Sequence, residues 1–197
     1  TIQAVLPLKV LDDKYKIKRI IYSTYQAVSG AGKRGIDDLL NNTTLKFPYK
    51  IVNNCLPQID SFLENGYTKE EIKMIEETRK ILKKPKLPIT ATCVRVPVLN
   101  CHCENINVEL EYDFKIDDIK KYLNNSDGII VMDDPQRQIY PLNTFANDTD
   151  EVYIGRIRRD YSIENGLNFW CVADNIRKGA ASNAVEILEK LMEKDSK

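Results

Sequence analysis

The sequence is sparing in ways that exclude whole classes of function. It has no net charge, with 29 basic residues against 29 acidic ones, and so gives no electrostatic footing for a nucleic-acid partner. No apolar run is long enough to cross a bilayer, so no membrane role is expected. No basic-then-apolar run opens the sequence, so export is not expected. The five cysteines are odd in number and lack the spacing of a small disulfide scaffold. They are expected to be reduced thiols in a cytoplasmic protein. Neither the P-loop nor the dinucleotide fingerprint occurs. Histidine is scarcest of all, since His102 is the single one among 197 residues.

What is present reads as a mixture of strands and helices. The opening "TIQAVLPLKVL" is apolar from its first residue, and Ile2, Val5, Leu6, Val10 and Leu11 are expected to mark a buried element. An apolar start of this kind is expected of a chain cut from something longer, because a free domain usually begins with a polar, frayed end. "KIKRIIYSTYQAV" is β-branched and aromatic, hence a strand; "SGAGKRG" breaks it and "IDDLLNN" restarts with helical spacing. Pro48 and Pro57 impose loops. "YTKEEIKMIEETRKIL" is the clearest helix. Thr68 and Glu71 form a capping box, Ile72, Ile75 and Leu82 share a face, and Pro85 and Pro88 end it.

Downstream, "ITATCVRV" alternates as a strand does. So does "INVELEY", with Val108, Leu110 and Tyr112 on one face and Asn107, Glu109 and Glu111 on the other. "KIDDIKKYL" is a short helix. Residues 124–150 are rich in Asn, Asp and Pro and are expected to be mostly loop, with one apolar piece at Ile129 to Met132. "EVYIGRIRRD" and "LNFWCVAD" are strands, and Arg156, Arg158 and Arg159 are most simply a solvated strand edge. "GAASNAVEILEKLMEK" is a final helix with Ala181, Ala184, Leu188 and Leu191 on one face. Without a strict βαβ rhythm, the fold class is α+β with a mixed or antiparallel sheet.

Several residues can do chemistry. Arg95 offers a planar fork suited to a carboxylate, and His102 titrates near neutrality as acid–base work requires. On one unbroken strand their separation of seven would place them on opposite faces. Pro97 makes an unbroken strand improbable, and a turn between Pro97 and Asn100 can bring both side chains to one site. The bland alternative is a structural histidine and a surface arginine. Cys101 and Cys103 flank the histidine, but neighbours on a strand point apart and structural zinc sites space their ligands by two or more; no metal is expected. Glu70 and Lys73 lie one helical turn apart. They line a pocket if that face is covered, and otherwise form a solvated ion pair of small effect. The "SGAGKRG" loop permits close backbone approach to a ligand.

Taken in order, "YSTYQAVSGAGKRGIDDL", "FPYKIVNN", "FLENGYTKEEIKMIEETRKIL", "ATCVRVPVLNCH", "GRIRRD" and "ADNIRKGAASNAVEI" resemble the aspartate-semialdehyde dehydrogenase family. The likeness covers nearly the whole chain, excepting residues 115–150. It implies an NADP-dependent reduction of aspartyl phosphate to aspartate semialdehyde through a cysteine thioester, in lysine, threonine, methionine and diaminopimelate biosynthesis. It implies a mixed sheet with helices on one face and a homodimer formed through that sheet. By motif it places Gln26 at the acyl intermediate, Arg95 on the substrate carboxylate and His102 as the acid–base group. Glu70 contacts substrate and Lys73 holds phosphate. Ser29, Gly30 and Asn175 approach the NADP cofactor. The family's nucleophile motif lies just before "TIQAVLPLKVL", and none of the five cysteines stands in such a motif. The resemblance therefore implies residues 1–14 as a helix remnant, 15–173 as a catalytic and dimerisation domain, and 174–197 as a helix returning to an NADP-binding domain outside this sequence, so that the chain alone binds NADP weakly and has no turnover. A related acyl-phosphate reductase, such as N-acetyl-glutamyl-phosphate reductase, is the nearest alternative. A non-catalytic dimerisation module and a thiol or zinc-binding protein are the others.

Overall fold

The computed structural model describes residues 1–195. Helix α1 (Ile2–Tyr15) leads into strand β1 (Ile17–Gln26). A short 3-10 turn (Val28–Ala31) precedes α2 (Lys33–Asn41). Then come α3 (Lys69–Ile81), β2 (Ile89–Arg95), β3 (His102–Leu110) and α4 (Ile116–Asn124). The chain continues through β4 (Ile129–Val131), α5 (Asn143–Ala146), β5 (Val152–Asp160) and β6 (Gly166–Ala173). It ends in a π turn (Arg177–Ala181) and α6 (Ser182–Asp195).

The six strands form one sheet in the order β2-β1-β3-β6-β5-β4. β1 runs parallel to β2 and antiparallel to β3, so the sheet is mixed and the fold is α+β. Strand side chains alternate between faces. Residues paired across the sheet therefore fix its inner face: Ile20, Tyr22, Thr24 and Gln26 on β1, Cys93 and Arg95 on β2, His102, Glu104, Ile106 and Val108 on β3, and Phe169, Cys171 and Ala173 on β6. Leu8 and Leu11 of α1, Met74 and Ile75 of α3, and Ile119 and Leu123 of α4 pack with that face in one core. Each large aliphatic or aromatic side chain buried there contributes about 1.5–3 kcal/mol.

α3 begins as the capping box requires. The Thr68 hydroxyl accepts from the Glu71 N–H, and Glu71 accepts from the Thr68 N–H. The other oxygen of Glu71 accepts from the Cys93 N–H at 2.9 Å, so one carboxylate both starts the helix and ties it to β2. In α1, Pro7 cannot donate to the carbonyl one turn back. That carbonyl, of Gln3, accepts instead from the Cys171 thiol at 3.6 Å.

Several local expectations shift. The buried face of α1 is Gln3, Ala4, Pro7, Leu8, Leu11, Asp12 and Tyr15, whereas Ile2, Val5, Leu6 and Val10 are only partly covered. Apolar residues surround this helix, so composition does not select the face; the sheet does. β3 ends at Leu110 and Tyr112 is 51% exposed, because the N–H groups of Glu111 and Tyr112 turn to the carbonyl of Tyr15 at the end of α1. Residues 124–150 carry β4 and α5. Arg159 leaves the solvated edge to stack its guanidinium 4.2 Å from the Phe114 ring centroid and to pair with Asp113. Leu188 and Leu191 of α6 share an exposed apolar side. No helix among the described residues is long and apolar enough to cross a membrane.

Candidate active site

The turn after Arg95 decides the geometry. Its backbone is zipped to the end of β1 and the 3-10 turn: Val96 N–H donates to Gln26 O (3.0 Å), Val28 N–H to Val98 O (2.9 Å) and Ser29 N–H to Leu99 O (3.1 Å). Cys101 adopts φ +69°, and its carbonyl accepts from the Asn143 amide at 2.8 Å. The reversal sets His102 down as the first residue of β3, on the same sheet face as Arg95 but two strands away. Gln26 lies between them on β1.

Ala27 anchors both groups. Its N–H donates to His102 Nδ1 at 3.1 Å, and its carbonyl accepts from Arg95 Nη1 at 2.6 Å. Because Nδ1 accepts, the hydrogen of the neutral ring lies on Nε2. Burial and the nearby Arg95 charge hold the imidazole far below its ordinary value, at about 3. Burial also lowers the Arg95 pKa, yet the guanidinium stays charged, and its Nε has no partner. It lies over the Phe47 ring, with the guanidinium carbon 5.8 Å from the ring centroid.

These groups wall a cavity of about 610 Å³ that also takes in Gln26, Ser29, Gly30, Glu70, Lys73 and Asn175. The structure thus brings together all eight residues singled out in the sequence. Glu70 and Lys73 pair at 2.5 Å on α3. Burial works against the lysine charge, but the Glu70 carboxylate more than offsets this and its pKa is raised. Glu70 is mostly covered and Lys73 half exposed, and both line the cavity. Ser29 Oγ and the Asn175 amide are hydrogen-bonded to each other, and Asn175 Oδ1 accepts from the Cys101 N–H at 3.0 Å. Gly30 passes so close that a Cβ there would lie 3.2 Å from both Arg95 Nη1 and His102 Nε2.

The family model for "Semialdehyde dehydrogenase, dimerisation domain" matches residues 8–178. The chain belongs to this semialdehyde dehydrogenase family. An aspartate-semialdehyde dehydrogenase of Aquifex aeolicus is 50% identical over 203 residues, covering 98% of this chain and 60% of that protein. Among solved structures, aspartate semialdehyde dehydrogenase II of Vibrio cholerae, described as complexed with ASA, superposes with a TM-score of 0.93 at 44% identity, over 98% of this chain and 60% of that one. The Candida albicans enzyme, described with NADP, superposes with a TM-score of 0.74 at 26% identity, over 99% of this chain and 56% of that one. The chain spans about 60% of the length of the Aquifex and Vibrio relatives.

Three contributors to the site were not legible as such. Glu104 lines the cavity and is 3% exposed. Its signal was present: it stands in phase with Ile106, Val108 and Leu110, an acidic residue on a buried face. Gln3 lines the cavity and donates to the His102 carbonyl at 3.1 Å, and Asn143 pins the turn. Both act across large sequence separations that no local pattern reports. The cysteines take no visible part. Among the described residues none of the five lines the cavity. Burial pushes the thiols of Cys93, Cys101 and Cys103 up to about 12. Among the described residues no cluster of histidine, cysteine and carboxylate side chains could hold a metal.

Proposed function

We propose that this chain forms the substrate side of an aspartate-semialdehyde dehydrogenase, which converts L-aspartyl 4-phosphate and NADPH to L-aspartate 4-semialdehyde, NADP and phosphate. One observation carries the proposal: His102 and Arg95 are bound to opposite sides of Ala27 and face a cavity shared with Gln26, Glu70 and Lys73. Such a site pairs a proton-handling group with fixed positive charge for a doubly anionic substrate.

Arg95 receives the substrate carboxylate, for which its unpartnered Nε leaves capacity. Glu70 meets the ammonium end and Lys73 the phosphate. Gln26 orients the acyl group, and its own amide is steadied by Thr24 Oγ1 at 3.3 Å. His102 handles the proton at Nε2, the atom turned to the cavity. The acyl group is carried on a cysteine thiol that the residues of this chain do not supply to the cavity.

The cradle at Gly30, which a Cβ would crowd, and the polar pair Ser29–Asn175 fit a planar nicotinamide ring. When bound, NADPH supplies the hydride. Ser29, Gly30 and Asn175 would hold the ring end. The outer sheet face, where the rings of Tyr25 and Trp170 meet at 5.4 Å and a tilt of 47° and Tyr25 is 39% exposed, suits a homodimer. The five unpaired cysteines suit the cytoplasm.

The test is phosphate-dependent NADPH formation from aspartate semialdehyde by the complete enzyme. Turnover that falls about 10²- to 10⁴-fold in His102→Asn supports the assignment. A complete, folded dimer without turnover on this substrate sinks it.

A further inference from the structure

Among the described residues, three buried side-chain atoms of the cavity wall lack a hydrogen-bond partner: Thr1 Oγ1, Arg95 Nε and Glu104 Oε2. Arg95 has a task in the proposed function and Glu104 has none. At 3% exposure Glu104 is cut off from bulk water, and a buried polar group left unpaired costs about 1–3 kcal/mol. A ligand that supplies the missing partner accounts for its persistence.

Glu104 lies between Thr24 of β1 and Cys171 of β6, one step along the strand face from His102. The titratable groups around it are Glu70 of α3, Tyr22 of β1, Cys93 of β2, Cys171 of β6, and Cys103 and His102 of its own strand. Among the described residues no lysine or arginine pairs with it. Burial drives its carboxyl towards the protonated form and Glu70 adds to this. A protonated carboxyl has an O–H to donate.

We infer that Glu104 is a further ligand-contacting residue of the site, a buried carboxylic acid that donates its O–H to the oxygen of the reacting carbonyl. The inference rests on the reductase function proposed above. The anionic ends of the substrate are already met by Arg95 on β2 and Lys73 on α3. Glu104 stands on β3, two strand spacings (about 10 Å) from β2, on the side of His102. A neutral donor there gains strength as negative charge develops on the carbonyl oxygen.

The experiment uses the complete enzyme with aspartate semialdehyde, phosphate and NADP. Glu104→Ala lowers kcat about 10²- to 10³-fold and moves KM less than about 3-fold, because the bond is made chiefly in the transition state. Glu104→Gln keeps an N–H donor and restores most of kcat. A Glu104→Ala enzyme that keeps its kcat overturns the inference. So does a Glu104→Gln enzyme as slow as Glu104→Ala while its melting temperature is native. If the native enzyme fails on this substrate, the proposed function falls separately. The infrared C=O band of a protonated carboxylic acid still decides the state of Glu104: it is expected in the native protein and missing from Glu104→Gln, and its absence from both overturns the inference.

Discussion

His102 and Arg95 share a single anchor, the backbone of Ala27: the N–H of that residue holds the imidazole at 3.1 Å and its carbonyl holds the guanidinium at 2.6 Å. A shift of the β1 terminus therefore moves the proton-handling group and the carboxylate clamp together. Their relative position depends on backbone, which no side-chain substitution at Ala27 removes.

The imidazole is neutral over the working range, and this is measurable without activity. As the single histidine of this chain, His102 gives one Hε1 signal by NMR. It is expected to stay neutral well below pH 6.5, the ordinary value, and to titrate only on approach to about 3. The unfolded chain takes up this proton first, so the His102 contribution to stability is present above pH 6.5 and is lost as pH falls towards 3. A ring that titrates near neutrality in the folded protein contradicts the geometry.

Gly30 is needed for the space it leaves. Its backbone does not lie in the left-handed region, so alanine brings no backbone strain, but the new methyl carbon meets Arg95 Nη1 and His102 Nε2 at 3.2 Å. Gly30→Ala in the complete enzyme is expected to lower kcat/KM about 10- to 100-fold with a nearly native melting temperature. Steady-state kinetics beside a thermal melt separates this from unfolding.

The two halves of the capping box are unequal. Thr68→Ala removes one cap acceptor and costs about 1 kcal/mol. Glu71→Ala orphans the N–H groups of both Thr68 and Cys93, each at about 1–3 kcal/mol. Urea unfolding of the two variants should rank Glu71→Ala as clearly the less stable; equal midpoints would show that the bond to β2 contributes nothing.

Asp38 controls the loop that carries Phe47 to Arg95. Burial acts to raise its pKa, but the N–H groups of Phe47, Leu45 and Lys46 and the Thr43 hydroxyl outweigh burial and hold the carboxyl at about 2. This is a depressed carboxylate, so its stabilisation is present above the ordinary value of 3.8 and disappears as pH falls through about 2. Asp38→Asn presents an amide to some of these donors and is expected to cost about 1–3 kcal/mol at neutral pH. Melting curves of native and variant protein should converge as the pH falls from 4 towards 2.

Much of this was written locally. Alternation marked the strands, Thr68 and Glu71 marked the start of α3, and Pro97 marked the turn that lets Arg95 and His102 meet. These features depend on contacts within a few residues, where propensity and period hold. The motifs located eight residues that the fold then gathered into one cavity. The tertiary structure alone decided the strand order β2-β1-β3-β6-β5-β4, which face of α1 is buried, and which of the two faces of β3 is the inner one. It alone revealed the Ala27 anchor, the reach of Asn143 to the turn and the unpaired oxygen of Glu104. The reason is physical: a strand's pattern defines two faces but not the neighbours they meet, and a buried group's charge and partners are set by side chains that arrive from distant parts of the chain.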